Sequence, residues 1–258
     1  MQPFDFKGRT VFVAGGTSGI NLGIAEAFAE AGATLAVLSR SQEKVDAATR
    51  RLESFGGKAV GYAADVRNAE ATTAALKAAH DALGDIDILV SGAAGNFPAP
   101  ALGMSANGFK SVIDIDLLGT FNVLRGAHAF LRKPGAVIVN ISAPQALHPF
   151  PMQVHVCAAK AGVDMLTRVL AIEWGGDGIR INSVIPGPTE GTEGMARLAP
   201  TPERMQQVAK GVPLRRLGKK QDVANLAMFL ASPWADYITG AVIPVDGGWG
   251  TNGAAGLT

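Results

Sequence analysis

Seven short apolar runs recur along this chain of 258 residues, and stretches of helical periodicity separate them. The runs lie at residues 10–14, 34–38, 59–63, 86–90, 136–141, 180–184 and 241–245. The helical patterns lie at about 22–31, 42–54, 69–83, 108–130, 154–173 and 221–230. Strands joined through helices return in the same direction, so this order reads as successive βαβ units and a parallel sheet. A parallel sheet is covered on both faces. That is why Val11-Phe12-Val13 and Val137-Ile138-Val139 are continuously apolar instead of alternating. The expectation is an α/β fold: one domain built on a doubly wound, seven-stranded parallel sheet with helices on both faces.

Size and charge narrow the rest. A chain this long buries roughly three quarters of its unfolded surface and needs no disulfide or metal staple. Its 23 basic and 22 acidic residues leave a formal net charge of +1, with no long run of either sign. Nucleic acid and anionic membranes are therefore not expected as partners. The single cysteine, Cys157, excludes an internal disulfide, fits a reducing compartment and reads as a packing residue on a helix. The first residues show no apolar or Arg-rich leader, and no stretch approaches the roughly 18 apolar residues of a bilayer span. A cytoplasmic protein is the expectation. No cluster of His, Cys and carboxylates has metal-ligand spacing, so no metal is expected.

The first strand runs into Gly15-Gly16-Thr17-Ser18-Gly19-Ile20-Asn21-Leu22-Gly23, a glycine turn that opens an amphipathic helix. Glycine lets backbone approach a pyrophosphate, and the helix N-terminus offers unpaired N–H groups and partial positive charge. Gly15, Thr17, Ser18, Gly19 and Ile20 are thus candidate dinucleotide contacts on a Rossmann fold. The Gly15…Gly19 spacing resembles the turn of the short-chain dehydrogenase/reductase family, with Asn21 where that family has a third glycine. Asn tolerates left-handed backbone better than most residues, so the turn is expected to survive. The second strand closes on Ser39-Arg40 where an acid would bind the ribose hydroxyls of NAD; a hydroxyl and a guanidinium suit a 2′-phosphate, pointing to NADPH. Asp65-Val66 after the third strand and Ala93-Ala94 after the fourth complete the cofactor set by the same resemblance.

The catalytic segment is notable for what it lacks. Gln153-Val154-His155-Val156-Cys157-Ala158-Ala159-Lys160 resembles the family's catalytic helix, where a Tyr stands four residues before the Lys; here that position is Val156. The family's Ser position falls at Ala143, beside Ser142, and its Asn position at Asp116. Only Lys160 is retained. Lys160 and Asp164, one turn apart, share a helix face and are expected to interact directly, with Asp116 bringing a second carboxylate. A Lys among two acids suggests a held water as proton carrier. His155 and His148 read as packing or surface residues.

These replacements resemble one branch of the family, the 2,4-dienoyl-CoA reductases of the peroxisomal type. The likeness is carried by Gly92-Ala93-Ala94-Gly95-Asn96-Phe97, by Asp114-Ile115-Asp116 with Gly119-Thr120-Phe121-Asn122-Val123, and by Lys160, Asp164 and Leu170-Ala171-Ile172-Glu173-Trp174. Pro186-Gly187-Pro188 and Gly191-Thr192-Glu193-Gly194 extend it. It implies an enzyme of fatty-acid β-oxidation that reduces a conjugated double bond of an acyl-CoA with NADPH. Catalysis would fall to Lys160, Asp164 and Asp116. Asn96, Phe97 and Ser142 would meet the acyl group, and Lys160, Pro186 and Gly187 the nicotinamide end. It further implies a homotetramer packed through the helices at 108–130 and 154–173. A cofactor half would span about 1–140, a catalytic and substrate half 141–258, and a lid loop about 188–213. Two rival readings share the cofactor end: a reductase of other activated alkenes, and a non-catalytic NADPH-binding protein.

Overall fold

The computed structural model describes residues 4–251. Seven strands form one all-parallel sheet in the order β3-β2-β1-β4-β5-β6-β7. They are β1 (Thr10–Ala14), β2 (Thr34–Ser39), β3 (Ala59–Ala63), β4 (Ile88–Ser91), β5 (Val137–Ile141), β6 (Arg180–Pro186) and β7 (Val242–Val245). The order reverses between β1 and β4, which puts the topological switch point, and with it the expected ligand crevice, at the carboxyl ends of those strands. The expected α/β single-domain architecture is the observed one.

The first six helices fall where the periodicity places them: α1 (Gly19–Glu30), α2 (Gln42–Glu53), α3 (Ala69–Leu83), α4 (Ala106–Val112), α5 (Gly119–Ala127) and α6 (Val154–Trp174). Between α4 and α5 the chain makes a π-helical turn over Ile113–Leu118, so the single helix expected at 108–130 is interrupted. Wide turns of this kind collect at functional sites, and Asp116 sits within this one. The expected loop at 188–213 contains two short helices instead, α7 (Glu193–Leu198) and α8 (Pro202–Gly211), capped by the side chains of Thr192 and Thr201. The Pro and Gly residues of this stretch read as loop, but the Thr caps are the local signal of the helices. The last helix is α9 (Lys220–Ala231). Of the glycine-rich tail from Gly247, residues 247–251 form a turn in which Asp246 accepts from the N–H groups of Gly248 and Gly250; the remainder lies outside the described residues. No helix among the described residues is long and apolar enough to cross a membrane.

The sheet divides two apolar layers. One face packs Val11, Val13, Leu35, Val37 and Val139 against Ile24, Phe28 and Met228 of α1 and α9. The other packs Phe12, Leu38, Leu89 and Ile138 against Leu76, Val123 and Leu124 of α3 and α5. At the amino-terminal edge, buried Asp87 joins three segments, accepting from the Thr10 N–H at 2.9 Å, Arg9 at 2.8 Å and Arg132 at 2.6 Å. Burial pushes the Asp87 carboxyl up, but these donors together outweigh it and hold the pKa below the ordinary carboxylate range. A depressed pKa contributes stability above the unfolded value and loses it as pH falls through the folded one. Asp87→Ala should therefore cost about 1–3 kcal/mol, the modest end for a buried charge because both arginines stay half-exposed and hydrated. Urea unfolding at pH 7 checks the magnitude, and the wild-type advantage should shrink in acid below the ordinary Asp range.

Candidate active site

Two adjoining cavities open at the carboxyl ends of the strands, and Ile20 lines both. The first, about 290 Å³, is walled by Gly15, Thr17, Ser18, Gly19, Ser39, Arg40, Asp65, Val66, Ala93 and Ala94. Its base is the turn between β1 and α1. Gly15 and Gly19 hold positive φ angles of 77° and 58°, and a Cβ on Gly15 would meet the Ala93 backbone at 2.9 Å. Only glycine suits Gly15. Ser18, the N-cap of α1, makes no capping bond with its side chain, so the first amides of α1 remain for a ligand. Asn21 is helical, not left-handed as the sequence suggested. It preserves the turn by another means, donating to Gly92 O at 2.7 Å and Gly15 O at 3.4 Å. Lys44, in the first turn of α2, lines the same cavity as Arg40 and adds a second cation that sequence reasoning missed. Asp65 is gripped by Arg67, whose hydrogen bonds hold its pKa low despite partial burial.

The second cavity, about 350 Å³, is mostly apolar. Asn96 and Ser142 line it, together with Ile141, Phe150, Met195 and Trp249; Pro186 and Gly187, read from the sequence as contacts of the nicotinamide end, line this cavity and not the first. Gln145 and Gln153 also face it, and both sequence and motif reading left their roles unassigned. Gln145 Nε2 and Asn96 Nδ2 both donate to Gln153 Oε1, at 2.8 Å and 3.3 Å. Phe97 is not part of this wall; it stacks edge-on against His155, ring centroids 4.6 Å apart. His155 is fully buried, and neither ring nitrogen has a hydrogen-bond partner. His148 lies in the loop after β5, at the edge of Gly250. Cys157 is half-buried.

Behind these walls lie the three groups expected to carry chemistry, and all are buried: Asp116 at 1%, Asp164 at 3% and Lys160 at 5% exposure. The π-helical turn aims Asp116 inward, where Oδ1 accepts from the Gly95 N–H at 2.7 Å and Oδ2 stands 3.5 Å from Lys160 Nζ. Lys160 also donates to Ile141 O at 3.0 Å, tying α6 to the end of β5. The expected direct contact between Lys160 and Asp164 does not form. The ammonium turns toward the Asp116 carboxylate and the Ile141 carbonyl, and Asp164 instead accepts from Ser183 Oγ at 2.8 Å. Asp164 Oδ2 and Ser142 Oγ close no hydrogen bond. Burial dominates and pushes the Asp164 pKa up, opposed by the hydroxyls of Ser183 and Ser142 and by the charges of Arg168 and Lys160. Val156, at the Tyr position, is buried at 3% against Val112 and Ala159 and reaches neither cavity. Among the described residues no group of His, Cys and carboxylates is arranged to hold a metal.

Residues 14–250 match a family profile described as enoyl-(acyl carrier protein) reductase. The peroxisomal 2,4-dienoyl-CoA reductase [(3E)-enoyl-CoA-producing] of Pongo abelii is 45% identical over 94% of this chain and 84% of its own. A probable 2,4-dienoyl-CoA reductase [(2E)-enoyl-CoA-producing] of Bacillus subtilis is 40% identical over 93% of this chain and 96% of its own. Among solved structures, a putative short-chain alcohol dehydrogenase from Sinorhizobium meliloti superposes with a TM-score of 0.90 at 34% identity, over 95% of this chain and 98% of that one. On the glycine turn, the sheet order and these likenesses together, the chain belongs to the short-chain dehydrogenase/reductase family.

Proposed function

We propose that this protein is an NADPH-dependent reductase of a conjugated acyl thioester, a 2,4-dienoyl-CoA, and that it yields an enoyl-CoA. One observation carries the reading. The residue that would protonate a reduced carbonyl oxygen is replaced by buried Val156, whereas an acid–Lys–acid set is buried behind the acyl cavity. A chain that had merely lost catalysis has no reason to bury three ionisable groups there, since each costs several kcal/mol of desolvation unless compensated. That weighs against a non-catalytic cofactor-binding protein. The names of the reductases from Pongo abelii and Bacillus subtilis support the dienoyl-CoA over other activated alkenes.

NADPH supplies a hydride when bound. The free amides of α1 suit its pyrophosphate, while Arg40, Lys44 and Ser39 suit its 2′-phosphate. Asp65, Val66, Ala93 and Ala94 would border its adenosine side, and Pro186 and Gly187, with Lys160 behind them, would hold the nicotinamide end. At the acyl head, the amides of Asn96, Gln145 and Gln153 are placed to donate toward a thioester oxygen that gains negative charge. Asp164, its pKa raised, supplies the proton to carbon through a water on the Ser142 side. Asp116 holds Lys160 in place. Phe97, outside the apolar wall, would act only at the rim. The division of the domain into a cofactor half (about 1–140) and a catalytic and substrate half (about 141–258), with residues about 188–213 as the lid, belongs to the same reading. So do a cytoplasmic location and a homotetramer. Exposed Phe121 of α5, with Met165, Val169 and Ile172 of α6, offers the apolar surface such an assembly would cover.

Turnover of a 2,4-dienoyl-CoA should far exceed that of a matched 3-ketoacyl-CoA, with NADPH oxidation followed at 25 °C for both. Comparable kcat/KM values would mean that another donor reaches a carbonyl oxygen and would overturn the reading. Arg40→Ala should weaken NADPH by about 1.5–3 kcal/mol, as for a charge-assisted hydrogen bond, and leave NADH nearly unchanged. Titrating both cofactors against both proteins checks it. Asp164→Asn should lower kcat by about 10²–10⁴, the range of general acid catalysis, with little change in NADPH affinity.

A further inference from the structure

Ser183 sits in the middle of β6, fully buried, and lines neither cavity. Side chains alternate along a strand. Its neighbour Asn182 serves the β7 side, donating to Ile238 O and accepting from the Ala241 N–H. Ser183 points the other way, into α6, and spends its hydroxyl on Asp164 Oδ1 at 2.8 Å. Among the described residues no cation forms an ion pair with Asp164: Lys160 is engaged by Asp116 and Ile141 O, and exposed Arg168 acts on it only at a distance. Ser183 makes the well-formed hydrogen bond to this carboxyl, and the Ser142 hydroxyl acts on it more weakly.

We propose that Ser183 is a positioning residue for the proton-delivering acid: its bond fixes Oδ1 and leaves Oδ2, beside the equally unpartnered Ser142 Oγ, as the oxygen that exchanges a proton with the acyl cavity. This rests on the reading of Asp164 as the proton source. The geometry distinguishes the two oxygens of one carboxyl. Oδ1 is held from the β6 side, away from both cavities, whereas Ser142 forms part of the acyl cavity wall. In the step itself, bound NADPH would supply the hydride, leaving NADP⁺ and a dienolate on the acyl chain. The resulting dienolate takes a proton at carbon from the water on the Ser142 side, that water recovers one from Asp164 Oδ2, and Asp164 is left as the carboxylate. Ser183 then stabilises that carboxylate with its hydroxyl. The groups that face Asp164 are Lys160 and Arg168 on α6, Ser183 on β6 and Ser142 after β5, with Asp116 reaching it only through Lys160.

The sign follows. A hydroxyl donating to Asp164 favours the charged form, so removing it makes the acid hold its proton to higher pH. Because delivery needs the protonated acid, the alkaline limb of the kcat profile of Ser183→Ala should move to higher pH. The kcat plateau should fall about 10–100-fold, while NADPH affinity and thioester KM stay near wild type. Ser183→Thr, which keeps the hydroxyl, should restore the wild-type limb. Loss of packing alone would lower the plateau without moving the limb, and that result would overturn the proposal. Ser183→Cys, which keeps the volume but donates weakly, serves if the Ala variant does not fold. An infrared titration of the protonated Asp164 carboxyl, identified by its loss in Asp164→Asn, reads the same shift without turnover. If the wild type fails to reduce 2,4-dienoyl-CoA, the functional reading falls while this titration still decides the role of Ser183. An unmoved midpoint in Ser183→Ala would reject it.

Discussion

All seven strands run in one direction, and the rest of the molecule follows from that constraint. Parallel neighbours cannot be joined by tight hairpins, so each connection crosses a face of the sheet, and both faces become dry. The carboxyl ends of all strands therefore collect at one edge. Both site cavities open there, and the segments that wall them follow all seven strands. Asp87 and its arginines close the opposite edge, where a carboxylate can be buried only because three donors converge on it.

The site is built from buried charge, which the interior tolerates only when compensated. Asp116 and Lys160 compensate each other across two elements, and the backbone completes both: Gly95 N–H for the acid, Ile141 O for the ammonium. That arrangement depends on the π-helical turn, which carries Asp116 inward from a helix otherwise packed through Val123 and Leu124. A buried pair of this kind contributes little net stability compared with an apolar pair of similar volume. Asp164 is less well compensated still, having one hydroxyl and one unpartnered oxygen. Its raised pKa is the direct result of that environment. An acid that holds its proton closer to neutrality is suited to giving it up during a reaction.

Val156 is the counterpart of this arrangement. On the same helix as Lys160, its side chain leaves the cavities and packs with Val112 and Ala159 beneath the π-helical turn. The position that would hold a phenol in a carbonyl reductase thus supports the element that delivers Asp116. One substitution removes a proton donor and the neighbouring packing helps hold a replacement set, so the departures at 116, 143 and 156 are read better together than singly.

Much of the fold is legible in the residues alone. The apolar runs at 10–14 and 59–63 and the helix at 69–83 match the observed elements residue for residue, because hydrophobic period is a local property. The glycine turn is equally local, since the φ angles of Gly15 and Gly19 exclude most other residues. What the chain sequence could not decide were matters of partner choice. Asn21 keeps its turn by reaching a carbonyl 71 residues away, not by adopting a left-handed backbone. The i,i+4 spacing of Lys160 and Asp164 makes a contact available, yet Lys160 finds Asp116 and Ile141 O, while Asp164 finds Ser183. Helical spacing fixes only which face a side chain shares. Once that face is buried, its hydrogen bonds go to whichever donors and acceptors the tertiary packing brings near, and those lie on other elements of the sheet.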